Sequence, residues 1–279
     1  MVLMALCGPL VVGGIAATAR WGGLSFQPLD PATPATAAQR YFWNLTVAVT
    51  AGVGAGLLVA GAGGRLVMRL LAVTAGDQAQ GRLTEAEEVV GRISTGGTIG
   101  FVVFTALFFG LATGIVYVLV RRWLPAGRLG GLAYGALLLV LAGSRIEPLR
   151  ADNPDFDIVG PSWLALAAFS ALVVTHGMLV AALAARYSRR LAPFSAGSRA
   201  WLGYAPLLAL VPIFPVLAIL GAGGAVAALI GKTGGRPSEL GPGMSHGALI
   251  GGRAVLCGAA LVALPGFVSA VTDIAGRGP

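Results

Sequence analysis

Charge is the scarcest commodity in this sequence. Only 11% of the 279 residues are charged, where an ordinary soluble domain carries about 25%. Hydrophobic residues make up 56% and the mean hydropathy is +0.84. One water-soluble core cannot absorb that excess, because such cores stop growing beyond roughly 250–300 residues. A soluble enzyme, a disordered tail and a disulfide-built secreted module are therefore excluded. Cysteine is nearly absent too. Cys7 and Cys257 both fall in apolar runs and read as buried free thiols, without metal-ligand spacing or a disulfide framework. Lys232 is the one lysine among 19 basic residues, a mark of codon usage and not of chemistry. No zinc spacing, phosphate-loop context or Ser/His/Asp grouping is present, so no cofactor is expected.

What is abundant is apolar length. The fold class this implies is all-α, a polytopic transmembrane helical bundle. A span needs about 20 mainly apolar residues, and seven stretches approach that: 3–19, 43–63, 99–120, 129–144, 162–185, 204–230 and 247–271. The fourth is short, which calls for local thinning or a tilted neighbour. The second continues in pattern through Arg65 and Arg69 toward Val73. The sixth is broken by Pro206, Pro212 and Pro215, then by Gly221, Gly223 and Gly224, and reads as either one kinked span or a re-entrant piece. The run ending Ala17-Thr18-Ala19 resembles a signal-peptide cleavage site, which would leave six spans. No basic residue precedes it, and an uncleaved first helix is the reading adopted. The connection that follows, Pro28 to Ala38, reads as unstructured, and no polar connection is long enough for a soluble domain.

Formal net charge is +8. In a soluble protein that would suggest nucleic acid; here it places basic loops against anionic lipid, so membrane lipids and not nucleic acid are the expected partners. Arg121, Arg122 and Arg128 lie between the third and fourth spans, and Arg186, Arg189, Arg190 and Arg199 between the fifth and sixth, without acids. That side should be cytoplasmic. Glu85, Glu87, Glu88, Glu147, Asp152, Asp155 and Asp157 fall opposite. Seven crossings then put the amino end outside a bacterial plasma membrane and the carboxyl end in the cytoplasm.

Small residues recur every four positions at Gly52, Gly56, Ala60 and Gly64, and at Gly243, Gly247 and Gly251, with pairs at Gly110/Gly114 and Gly131/Gly135. Lipid is as apolar as leucine, so helices associate through the close backbone contact that such spacing permits. Packing inside one bundle is the first reading, and a homo- or hetero-oligomer seam the alternative.

Ionisable residues at membrane depth are functional candidates by cost alone. His176 lies near the middle of the fifth span, with no carboxylate at depth to partner it, so a hydrogen-bonded structural histidine competes with a pathway role. Arg253 sits six residues into the seventh span and reads as interfacial or as lining a polar cavity. Arg65 and Arg69 share a helix face and could clamp a phosphate, pair with Glu85, Glu87 and Glu88, or reach lipid headgroups. Asp152, Asn153, Asp155 and Asp157 in DNPDFD alternate oxygens in a way that suits a divalent cation. The stretch lacks the glycine and distal glutamate of an EF-hand, and Pro154 favours a plain turn.

The segments GRLVMRLLA at 64–72, VVGRISTGGT at 89–98 and NPDF at 153–156 resemble a family of uncharacterised multi-pass membrane proteins from high-GC actinobacteria. The resemblance covers about the middle third to half of the chain. It implies a helical bundle in the plasma membrane and carries no catalytic or ligand residue across. Transport of a small solute or lipid is the first functional expectation. A non-catalytic scaffold or accessory subunit is the alternative, and a lipid-modifying enzyme using Arg65, Arg69 and the Asp152–Asp157 loop comes third.

Overall fold

A computed structural model describes residues 2–30, 32–193, 199–232 and 246–277. Among these residues the regular structure is helical, with no strand beyond one isolated bridge between Leu83 and Val89. The helices are α1 (Val2–Trp21), α2 (Ala37–Thr74), α3 (Thr95–Val120), α4 (Arg128–Gly143), α5 (Ser162–Ser188), α6 (Phe214–Lys232) and α7 (His246–Ala275). Five of them (α1, α2, α3, α5 and α7) are long and apolar enough to cross a membrane. Five of the seven stretches read from the sequence as spans fall on these long helices; 129–144 falls on the shorter α4, and 204–230 on a 3-10 limb followed by α6.

Local chemistry explains the boundaries. Helix α2 begins before its apolar run because Thr36 and Gln39 form a capping box: Thr36 Oγ1 accepts from the Gln39 amide at 3.2 Å, and Gln39 Oε1 accepts from the Thr36 amide at 2.7 Å. It ends at Thr74, just before Gly76 takes a left-handed φ of +76°. Ser94 caps α3 by accepting from the Gly97 amide at 3.0 Å. Helices α2, α3 and α4 each contain a π-helical turn, at Gly56–Gly61, Thr105–Gly110 and Leu139–Gly143.

The interior is packed on glycine. A Cβ on Gly56 would lie 2.7 Å from Ala106 Cα, and one on Gly110 would lie 2.5 Å from Gly52 O, so α2 and α3 meet backbone to backbone. Gly135 of α4 and Gly177 of α5 meet in the same way. The small-residue spacing of α2, α3 and α4 is thus consumed inside the bundle. Around it lie Trp43, Val47, Val59, Tyr134, Leu179 and Val180, all buried.

The broken sixth stretch is a hairpin. Residues Arg199–Ile213 form a 3-10 limb, and α6 follows at once. On the way in, Tyr204 donates to Ala192 O at 3.1 Å, and Leu210 packs against Leu45 and Val49. On the way out, Leu220 O accepts from Tyr41 at 2.8 Å, and Gly223 and Gly224 lie against Tyr41 and Phe42. Both limbs therefore lean on the first half of α2 and return to one end of the bundle. Prolines without an amide proton on either side of residues 213 and 214 suit a reversal there.

That hairpin corrects the expected topology. Helix α7 starts beside Trp123, where Arg253 Nε donates to Trp123 O at 3.3 Å. It finishes beside Asn153, whose carbonyl accepts from Arg277 at 3.2 Å. Cys7, near the start of α1, lies close enough to Arg65 for their charges to interact, and the far end of α1 meets Arg128 and Arg186. Residues near 7 and near 277 therefore share one end of the bundle, whereas seven crossings would have put them at opposite ends. The connection after α1 also differs from expectation. It lacks regular structure, but Ser25 O accepts from Arg189 at 3.1 Å and the Gln27 amide donates to Ser188 Oγ at 3.1 Å, so it is tied down.

Candidate functional site

His176 is completely buried on α5, packed against the π-turn of α3 and beside Ala55 of α2. The Phe109 ring, from the π-turn of α3, lies 5.2 Å from the imidazole, centroid to centroid. Thr113 Oγ1 is 2.8 Å from Nε2 and itself donates to Gly110 O at 2.9 Å. The backbone of Ala55, just before the π-turn of α2, lies beside the ring, yet Nδ1 completes no hydrogen bond. Tyr134 hydroxyl closes the group by donating to Thr113 O. Among the described residues no carboxylate joins the network, and neither of the two cavities described below reaches His176. Thr113 and Tyr134 went unnoticed in the sequence because nothing in their spacing points at a histidine on another helix.

At one end of the bundle, carboxylates and arginines interlock. Arg150 pairs with Glu85, with Asp152 at 2.9 Å and with Glu147 at 3.9 Å. Arg277 pairs with Asp157 at 3.6 Å and donates to the carbonyls of Ala151 and Asn153. Asp155 Oδ1 accepts from the Glu85 amide at 2.7 Å, and Asn153 Oδ1 accepts from the Asp155 amide at 2.8 Å. Burial pushes the Glu147 and Asp155 carboxyls above their ordinary values, against the pull of Arg150 on both and of the Glu85 amide on Asp155.

The metal-loop expectation for Asp152, Asp155 and Asp157 is corrected by this pattern. Their side chains are drawn to three different partners, Pro154–Asp157 is a 3-10 turn, and no group of three acidic, histidine or cysteine residues fit for a metal exists among the described residues. The expected pairing of Arg65 and Arg69 with Glu85, Glu87 and Glu88 is corrected as well. Arg65 donates to Thr98 Oγ1 at 3.2 Å and sits 5.8 Å from the Phe101 ring, while Arg69 donates to Gly91 O at 3.2 Å. Among the described residues no ion pair joins either arginine to the aspartate loop.

The opposite end is basic and solves its charges differently. Arg121 stacks 3.9 Å from the Phe26 ring and donates to Asn44 Oδ1 at 3.3 Å; Arg186 lies 5.5 Å from the Trp21 ring. Burial, and Arg122 beside it, lower the Arg121 pKa to about 10. Arg253 is exposed here and reaches back to Trp123 O. Cys257 is exposed on α7, contrary to the expected buried thiol, because α7 lies at the bundle's edge; Cys7 is buried. Among the described residues at this end the acidic residue is Asp30, whose carboxylate accepts from the Ala32 amide at 2.8 Å.

Two cavities flank the 3-10 limb. One of about 280 Å³ is lined by Tyr187, Arg190, Leu191, Ala192, Ala200 and Gly203. The other, about 240 Å³, lies between the limb and α2 and is lined by Val49, Thr50, Val53, Gly54, Leu57, Pro206 and Ala209. Sequence reading missed both because each forms only where the 3-10 limb packs back on the bundle, beside the end of α5 for the first and along α2 for the second. No family model, curated protein or solved structure matches the chain.

Proposed function

We propose that this protein is a non-catalytic membrane scaffold or accessory subunit in a bacterial plasma membrane. The observation that carries this reading is the closed interior at His176, where glycine contacts and a buried polar network occupy the depth that a transport path would need. The separation of Arg65 and Arg69 from the aspartate loop removes the convergence that an outer-surface enzyme required. The basic end faces the cytoplasm in this reading, by the positive-inside rule, and residues near 7 and 277 face outward. The partner surface is α7, where Val262 is 81% exposed and Gly247, Gly251 and Gly258 face open space.

A photo-crosslinker replacing Val262 in native membranes tests the proposal. Covalent capture of a second chain, identical or different, is the expected result, and recovery of the monomer alone overturns it. Transport of a small solute or lipid is the second reading, favoured by the paired π-turns at His176 and the re-entrant hairpin. Solute uptake in proteoliposomes that disappears with His176→Ala would replace the scaffold reading with transport.

A further inference from the structure

We propose that the hairpin and α2 hold one anionic phospholipid of the basic-end leaflet, with its phosphate on Arg190 and one acyl chain in the cleft along α2. The two cavities lie along the same 3-10 limb. The first reaches Gly203 and the second begins at Pro206, about one 3-10 turn further along. Tyr187 stands between them. Its hydroxyl donates to Gly203 O at 2.5 Å, and Thr50 of the second cavity is its other polar neighbour.

The two compartments differ in chemistry as the two parts of a lipid do. The cleft offers Val49, Val53, Leu57, Pro206 and Ala209, with Thr50 the one hydroxyl, itself donating to Thr46 O at 2.8 Å. Leu57 is 38% exposed at its far end, so the cleft opens sideways toward hydrocarbon. The first cavity is lined by Arg190, an exposed residue that makes no ion pair among the described residues. Its charged sequence neighbours, Arg186 and Arg189, are also cationic and engaged with Trp21 and Ser25. Charge complementarity therefore selects a phosphate-bearing anion, and the apolar cleft below it selects a lipid over a free anion. Guanidinium is the side chain best suited to phosphate. The site is independent of whether α7 binds a protein partner.

Native mass spectrometry of the purified full chain, titrated with phosphatidylglycerol and with phosphatidylcholine of the same acyl chains, tests the assignment. The anionic lipid should bind about fivefold more tightly, the factor that one near-surface basic residue supplies. Arg190→Gln should abolish that preference, Arg190→Lys should keep most of it, and Ala209→Phe should weaken both lipids by filling the cleft. Thermal unfolding of each variant separates lost binding from lost fold, and the Arg190→Lys result reads the charge even if the cleft variant is unstable. Equal binding of the two lipids, an unchanged preference in Arg190→Gln, or displacement of the lipid by glycerol phosphate at matched concentration overturns the proposal.

Discussion

Helices α2 and α7 carry the same sequence pattern in opposite surroundings. Gly52 and Gly56 recur at four-residue spacing along α2, as Gly247 and Gly251 do along α7. On α2 those positions meet the backbone of α3 at Gly110 and Ala106. On α7 a Cβ would meet nothing within 4 Å. The pattern therefore licenses close approach without saying who approaches. What decides it is the opposite helix: α3 brings Gly110 and Gly114 to face α2, whereas α7 touches the bundle through a narrow stripe at Ala263, Ala270 and Ile274 and through its two ends.

The sharpest way to break that contrast is to put the same side chain at both places. Gly52→Val drives a Cβ and two methyls into the Gly110 carbonyl, and neither backbone can retreat without moving a whole helix. Thermal unfolding in detergent should report a loss of about 1–3 kcal/mol, the range for forced overpacking. Arg277→Ala comes next. It removes the hydrogen bonds and ion pair that fasten the end of α7 to the aspartate loop, and should cost about 1 kcal/mol. Faster amide exchange confined to the last turns of α7 would locate the loss. His176→Leu lies behind the α2–α3 seam and gives up one hydrogen bond while removing an unfilled Nδ1. A loss under about 1 kcal/mol is expected; a much larger one would mean that Nδ1 has a partner in the membrane. Gly251→Val on α7 should stay within about 0.5 kcal/mol, as surface substitutions do, while reducing Val262 crosslinking. An equal loss at Gly52 and Gly251 would erase the contrast.

Most of the fold was legible because apolar length is a direct consequence of bilayer thickness. The five long helices needed only a count of consecutive apolar residues, and the extension of α2 past Arg69 followed its pattern. The hairpin stayed ambiguous, since prolines at 206, 212 and 215 mark a break without giving its direction. Only the contacts of Leu210 with Val49 and of Leu220 with Tyr41 show the chain turning back. From that one ambiguity came the misplaced carboxyl end. His176 was found by rarity alone, but Thr113 and Tyr134 beside it were not, because a hydrogen-bond network between helices leaves no spacing in the sequence. The acidic residues were visible as a group, yet their partners were not. Arg150 takes Asp152, Arg277 takes Asp157 from most of half the chain away, and the Glu85 amide takes Asp155, so the apparent cation loop is divided among three partners.

That division also predicts the smallest effect, a difference in pH response between the two ends that α7 connects. Glu147 and Asp155 have folded pKa values raised above their unfolded ones, chiefly by burial. A carboxyl raised in this way favours the folded state when protonated. Its contribution is complete below the unfolded pKa and is lost as pH rises through the folded pKa. Acidification from neutral pH toward the upper edge of the carboxylate range should therefore tighten the 145–160 connection that anchors Arg277. At the basic end Arg121, lowered to about 10, stays charged throughout that range. Amide exchange, corrected for its intrinsic pH dependence, should slow in residues 145–160 between pH 7.5 and about pH 5.5 and remain unchanged in residues 22–30. Slowing at both ends would mean that the whole bundle tightens and that burial of two carboxyls is not the cause. Faster exchange at 145–160 would mean that attraction to Arg150 outweighs their burial at neutral pH, reversing the sign assigned to the acidic end.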